Sequence, residues 1–110
     1  MTTGFEEEQI PLDLHGAFIR RTLLRKANLS RANFSHADCT GADFSSSDLT
    51  DADLTGANFA RANLMGANLL RTRLRGTDLR GTNLRGCRNL TDAQLAEAIT
   101  DDATVLPEAA

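Results

Sequence analysis

The chain has no tryptophan, no tyrosine and only five phenylalanines in 110 residues. A protein that stacks nucleic-acid bases needs aromatics among its basic residues. None are interleaved with Arg75-Gly76, Arg80-Gly81 and Arg85-Gly86, the stretch that most looks like an Arg-Gly tract. Nucleic acid is therefore a disfavoured partner. No apolar run is long enough to span a bilayer, and no membrane association is expected. The start, Met1-Thr2-Thr3-Gly4-Phe5 followed by Glu6-Glu7-Glu8, lacks the basic-then-apolar order of a secretory leader. A cytoplasmic protein is the expectation. Histidine is scarce too. His15 and His36 have only Asp13 and Asp38 as companions, too few ligands for a closed metal site. There is no glycine-rich phosphate loop and no spacing that marks a nucleophile. Neither an enzyme nor a cofactor is expected.

What the chain does have is a period of five. Leu14, Ile19, Leu24, Leu29, Phe34, Cys39, Phe44, Leu49, Leu54, Phe59, Leu64, Leu69, Leu74, Leu79 and Leu84 form one register. A small residue precedes most of them by two positions, from Ala27 and Ala32 to Thr77 and Thr82. An α-helix advances about 100° per residue, so steps of five walk the stripe by about 140° and bury no single face. A strand alternates with period two, so an odd step points successive residues to opposite faces. The pattern fits a chain that turns a corner every five residues and always presents the same position inward. That is a solenoid.

The unit is A-(D/N)-(L/F)-x-x. Copies include Ala27-Asn28-Leu29-Ser30-Arg31, Ala32-Asn33-Phe34-Ser35-His36, Ala42-Asp43-Phe44-Ser45-Ser46, Ala52-Asp53-Leu54-Thr55-Gly56 and Ala62-Asn63-Leu64-Met65-Gly66. This strongly resembles the pentapeptide-repeat family, whose motif is commonest in bacteria. The resemblance implies an all-β fold. It is a right-handed quadrilateral β-helix of four pentapeptides per coil, with the central residue and the small residue pointing inward. Residues 12–89 then make about four coils, a column roughly 19 Å tall at the usual strand spacing. The core is expected at Leu29, Phe34, Phe44, Leu54, Phe59, Leu64, Leu69 and Leu74. The Asp and Asn of the motif can bond turn backbone, or stack as ladders.

Three segments follow: an acidic lead-in over 1–11, the repeat over 12–89, and a C-terminal helix and tail over 90–110. At Cys87-Arg88-Asn89-Leu90 the register breaks, with Asn89 at an inward position. Thr91-Asp92-Ala93-Gln94 reads as a capping box, and Leu90 with Leu95 as a hydrophobic staple. Leu95 and Ile99 would give a short capping helix its apolar face. Val105-Leu106-Pro107 would begin a tail. That helix lids the last coil, or makes a dimer contact. Phe18 and Leu23 occupy the outward Asp/Asn position; Phe5 and Ile10 folding back as a cap would cover them, and otherwise they offer a partner surface. Cys39 and Cys87 stand about 2.4 coils apart, roughly 11 Å along the axis by the strand spacing. That exceeds the 7 Å or so a disulfide spans.

The outward positions sort the charge. Between positions 16 and 91 lie all twelve basic residues and only six acidic ones, a net of +6 inside a chain of formal charge −3. Basic coils flank an acidic middle at Asp38, Asp43, Asp48, Asp51 and Asp53. Candidate interface residues are the apolar band Ala60, Met65 and Leu70, the arginines Arg75, Arg80 and Arg85, and Phe18 with Leu23. The expected function is a non-enzymatic structural or protein-interaction module that displays a rigid charged surface. Its expected partner is a protein, with a second copy of the chain as one candidate. The alternative, drawn from the resemblance to quinolone-resistance proteins, is a DNA-mimicking modulator of a topoisomerase (gyrase). The positive repeat region runs against that alternative.

Overall fold

The computed structural model describes residues 11–108. Its backbone is a right-handed quadrilateral β-helix. Parallel bridges join residues twenty apart, beginning with Asp13↔Asn33, Phe18↔Asp38, Leu23↔Asp43 and Asn28↔Asp48. Twenty residues therefore make one coil, and each coil has four faces. We call the faces A to D, with face A carrying Asp13, face B Phe18, face C Leu23 and face D Asn28. Coil 1 spans 12–31, coil 2 spans 32–51, coil 3 spans 52–71 and coil 4 spans 72–91.

A pentapeptide with a coil on either side accounts for all five of its N–H groups. In coil 2 the Asn33 N–H donates back to Leu12 O in coil 1, and the Phe34 N–H donates forward to Asp53 O in coil 3. His36 N–H also donates forward, to Thr55 O, and Ala37 N–H closes the corner turn on Phe34 O at 3.0 Å. That leaves the Ser35 N–H, which the Asn33 Oδ1 accepts at 2.9 Å. The same bond recurs from Thr40 to Asp38, Thr55 to Asp53 and Met65 to Asn63. The motif's Asp or Asn is thus a turn acceptor within its own repeat.

The fifth position of each unit explains the glycines. Residues there have positive φ, from Gly16 at 67° and Arg21 at 56° through to Gly86 at 69°. A positive φ at the second central residue, after a residue that keeps negative φ, is the signature of a type II turn and favours glycine. Gly41, Gly56, Gly66, Gly76 and Gly81 all sit at this position. The Arg-Gly spacing is therefore corner geometry.

Inside, the layers interlock. Phe34, Cys39, Phe44 and Leu49 fill coil 2 with no exposed surface. Phe34 and Phe44 face each other across the coil with ring centroids 5.6 Å apart. Phe59, directly above Cys39 on face B, contacts both rings, at 6.3 Å and 5.0 Å. The small Cys39 side chain leaves the room that this aromatic trio needs, since interiors pack to near-crystalline density. All eight residues expected in the core are buried. In coil 4 threonine replaces alanine. The Thr72, Thr77 and Thr82 hydroxyls donate to Leu49, Leu54 and Phe59 carbonyls, each at 2.7 Å.

The C-terminal end departs from expectation in three places. Helix α1, Asp92–Glu97, has the capping box at Thr91 and Gln94, and Leu90, Leu95 and Ala98 pack on the core. Ile99, however, is not on the helix. The chain becomes extended at Ala98, and Ile99 bridges Asp78 on face B. Val105 likewise bridges Asn83 on face C, so the supposed tail adds two more rungs. Asn89 does not point inward either. Its φ of 64° turns the chain, and its exposed side chain donates to Asn68 Oδ1 at 2.9 Å. The proposed cap by Phe5 and Ile10 lies outside the described residues.

Candidate functional site

The corners and the residues beside them form the outer surface. On the corner after face D, Arg31, Asp51 and Arg71 stack at twenty-residue intervals. The Arg71 guanidinium binds Asp51 in a fork, Nε to Oδ1 at 2.7 Å and Nη2 to Oδ2 at 3.0 Å. That bond and the positive charges of Arg71, Arg31 and Arg73 lower the Asp51 pKa, while the same bond and the negative charge of Asp51 raise that of Arg71. On face B, Arg80 binds Asp78 by Nη2 at 2.8 Å, lowering the carboxyl and raising the guanidinium. Looser pairs join Arg20 to Asp38 and Arg25 to Asp43 at 3.8 Å, and Arg73 to Asp53 at 3.9 Å. Asp38, Asp43, Asp51 and Asp53 of the acidic middle are therefore paired with arginines one coil away. Exposed pairs of this kind are screened by solvent and contribute little to stability. Their effect is mainly to hold the side chains in register.

The candidate interface residues separate by face. Ala60 and Arg80 stand on face B, Met65 and Arg85 on face C, Leu70 on face D and Arg75 on face A. Ala60 and Leu70 are half-buried, while Met65 is 38% exposed. The apolar band is thus a belt around three sides, and no flat partner covers all of it. Phe18 and Leu23 are the most exposed large apolar side chains among the described residues, at 88% and 76%. Arg75 reaches Glu97 of α1 at 3.7 Å. Arg85 and Arg88 make no ion pair among the described residues.

A groove of about 590 Å³ runs between α1 and faces D and A, lined by Leu70, Arg71, Arg73, Arg75, Gln94 and Glu97 among others. Gln94 positions its wall: Nε2 donates to Leu69 O at 2.8 Å and Thr72 O at 2.9 Å. The sequence marked Gln94 as a cap, and only the folded chain shows it tying helix to coil. The histidines do not converge. His15 Nδ1 lies 3.0 Å from Asp13, while the His36 ring lies over Gly56, where an added Cβ would meet it at 2.6 Å. No group of three or more His, Cys, Asp or Glu could hold a metal among the described residues. Cys39 and Cys87 are free thiols, and burial raises their pKa values to about 12 and about 11. No helix among the described residues is long and apolar enough to cross a membrane.

A twenty-residue coil with a five-residue inward register can be compared with known proteins. The family profile described as pentapeptide repeats matches residues 13–51 and 47–86, with eight copies. The chain belongs to the pentapeptide-repeat family. It is similar to the crystal structure of a pentapeptide repeat protein, Rfr23, from the cyanobacterium Cyanothece 51142. They share 34% identity, with a TM-score of 0.85, over 96% of this chain and 71% of that one. A pentapeptide repeat protein from the Arabidopsis thaliana thylakoid lumen matches at 29% identity and a TM-score of 0.40, over 82% of this chain and 54% of that one. HetL from Nostoc sp. strain PCC 7120 matches at 24% identity and a TM-score of 0.47, over 90% and 60%. No functionally curated protein matches the sequence significantly. As a pentapeptide-repeat protein, the chain is a scaffold, and function must be argued from its outward residues.

Proposed function

We infer that this pentapeptide-repeat protein is a non-enzymatic interaction module, and that its fourth coil presents the contact surface to an acidic protein partner. The observation that carries this reading is the arginine belt. Arg73 and Arg75 on face A, Arg80 on face B, Arg85 on face C and Arg88 on face D circle one rigid coil, and Arg85 and Arg88 pair with no carboxylate among the described residues. Guanidinium groups set out on a preorganised backbone suit carboxylate recognition, because each planar fork can bind both carboxylate oxygens. The free thiols, Cys39 buried and Cys87 half-buried, fit a reducing compartment such as the cytoplasm.

Affinity capture from the native host tests the reading, with wild-type chain beside Arg85→Glu/Arg88→Glu. Neither arginine makes an ion pair among the described residues, so the variant should fold and lose the captured protein. An unchanged captured set contradicts the assignment. The topoisomerase alternative draws no support from the surface. A DNA mimic presents negative charge, whereas the repeat region here carries twelve basic and six acidic residues. A supercoiling assay with added protein separates the two readings.

A further inference from the structure

The Asp/Asn columns on faces B and C change character at both ends. Face B reads Phe18, Asp38, Asn58, Asp78 and Ile99, and face C reads Leu23, Asp43, Asn63, Asn83 and Val105. Each column is polar inside and apolar at both termini, with Phe18, Leu23, Ile99 and Val105 all exposed. The backbone at those termini is unpaired in a matching way. Within the column an upper N–H bonds the carbonyl of the residue just before the lower bridge residue, as Asp38 N–H does to Ala17 O at 2.8 Å. The residue after the lower bridge then donates to the upper carbonyl, as Ile19 N–H does to Asp38 O, also at 2.8 Å. At the lower end Phe18 and Leu23 have neither their N–H nor their C=O bonded among the described residues. At the upper end the Ala98 and Thr104 carbonyls and the Thr100 and Leu106 N–H groups are equally unbonded. These are the groups that a following coil would use.

We propose that a second copy of this chain stacks head to tail on the first, its coil 1 continuing the B and C columns above Ile99 and Val105. Phe18 N–H then donates to Ala98 O, and Thr100 N–H donates to Phe18 O. Leu23 N–H donates to Thr104 O, and Leu106 N–H donates to Leu23 O. Phe18 covers Ile99, and Leu23 covers Val105. The charges agree. Arg21 and Lys26 on coil 1 make no ion pair among the described residues, and Asp101 and Asp102 stand exposed at the other end. Arg21 and Asp101 lie on the same corner, because the Asp101 carboxylate accepts the Gly81 N–H at 3.0 Å. Faces A and D take no part, since α1 occupies their upper end through Gln94 and the Gly76 N–H bond to Glu97 O at 2.8 Å. An exposed edge of this kind is a template for pairing unless it is blocked. A head-to-tail contact does not close, so it builds a linear stack. With two of four faces engaged the contact is small and weak.

Sedimentation equilibrium tests this on the full chain. The weight-average mass should rise from about one chain to two or more between roughly 10 µM and 1 mM, and the rise should shrink as salt is raised. A mass of one chain throughout overturns the proposal, as it would if the chain's own N-terminal segment covers the edge. Two edge-blocked variants fix the polarity. Phe18→Pro/Leu23→Pro removes the lower donors, and Thr100→Pro/Leu106→Pro removes the upper ones; none of these N–H groups bonds within the described chain. Each variant should be monomeric alone, and an equimolar mixture should stop at a dimer. Association of either variant with itself shows a head-to-head or tail-to-tail contact and overturns the proposal. If circular dichroism shows that a proline variant fails to fold, the charge pair replaces it. Arg21→Glu/Lys26→Glu should associate several-fold more weakly, and mixing with Asp102→Lys should restore association. No change in either measurement also overturns the proposal.

Discussion

Coils 1 and 2 are built from the same motif and differ in what lies on either side of them. In coil 2 the central Phe34, Cys39, Phe44 and Leu49 are fully buried. In coil 1 the equivalent Leu14, Ile19 and Leu24 are only partly buried, and Leu29 alone joins the core. Coil 1 also lacks the turn acceptor at two of its four bridges, where Phe18 and Leu23 stand in place of Asp or Asn. The lesson is that one pentapeptide coil does not make its own interior. Burial arises from stacking on both sides, as in other repeat arrays, so the same side chain has a different energetic weight by position.

The largest effect separates the two coils directly. Phe44→Ala in coil 2 removes a ring that contacts Phe34 and Phe59, and should cost about 3–5 kcal/mol. Leu24→Ala, on the same face in coil 1, should cost only about 1 kcal/mol because its side chain is already half in water. Thermal or denaturant unfolding of the two variants checks the difference. Equal losses would show that coil 1 is packed as tightly as coil 2.

A smaller effect has the opposite sign. Ser47, at an inward position in coil 2, is fully buried, and its hydroxyl has no hydrogen-bond partner. Thr72, Thr77 and Thr82 at the same inward position all have one. Ser47→Ala restores the motif's alanine and should stabilise by about 1 kcal/mol. Beside it, Ser46 sits at a φ of 59°, and its counterpart one coil up is Gly66. Ser46→Gly relieves the left-handed cost but frees the unfolded chain, so the net gain should stay below about 1 kcal/mol. Both are read as shifts in the urea midpoint at unchanged slope.

Acid should give the mildest signal. Asp38, Asp43, Asp51 and Asp78 have pKa values lowered below the ordinary 3.8, Asp38 and Asp43 chiefly by their Thr40 and Ser45 bonds and Asp51 and Asp78 by arginine. A depressed folded-state value means stability that is present above 3.8 and lost as pH falls through the lowered values. Unfolding midpoints should be flat above pH 5 or so and decline below about pH 4. Coil 2 depends on these carboxylates most. Hydrogen exchange followed during acidification should open its turns before those of coil 3 at Asn58 and Asn63.

The period of five made the inward column legible residue by residue, because each position recurs in the same environment. The glycines at 16, 41, 56, 66, 76, 81 and 86 share one register, and that register carried the positive-φ corner as well. The C-terminal rungs were hidden for a physical reason. Ile99 and Val105 pair with residues 21 and 22 positions earlier, so the inserted residues erase the period while the backbone still closes the coil. Asn89 misled for the related reason that a left-handed residue turns the chain out of register at that point. The groove beside α1 depends on Gln94 reaching two carbonyls, Leu69 O and Thr72 O, where coil 3 passes into coil 4, a contact that no local pattern encodes.

Residue-resolved amide hydrogen exchange in dilute solution tests most directly whether stacking on both sides creates the stability. The amides of Phe34, Phe44, Asp53, Leu54 and Phe59 should exchange only through global unfolding, while those of Phe18 and Leu23 exchange orders of magnitude faster. Uniform protection from coil 1 to coil 4 would contradict the account.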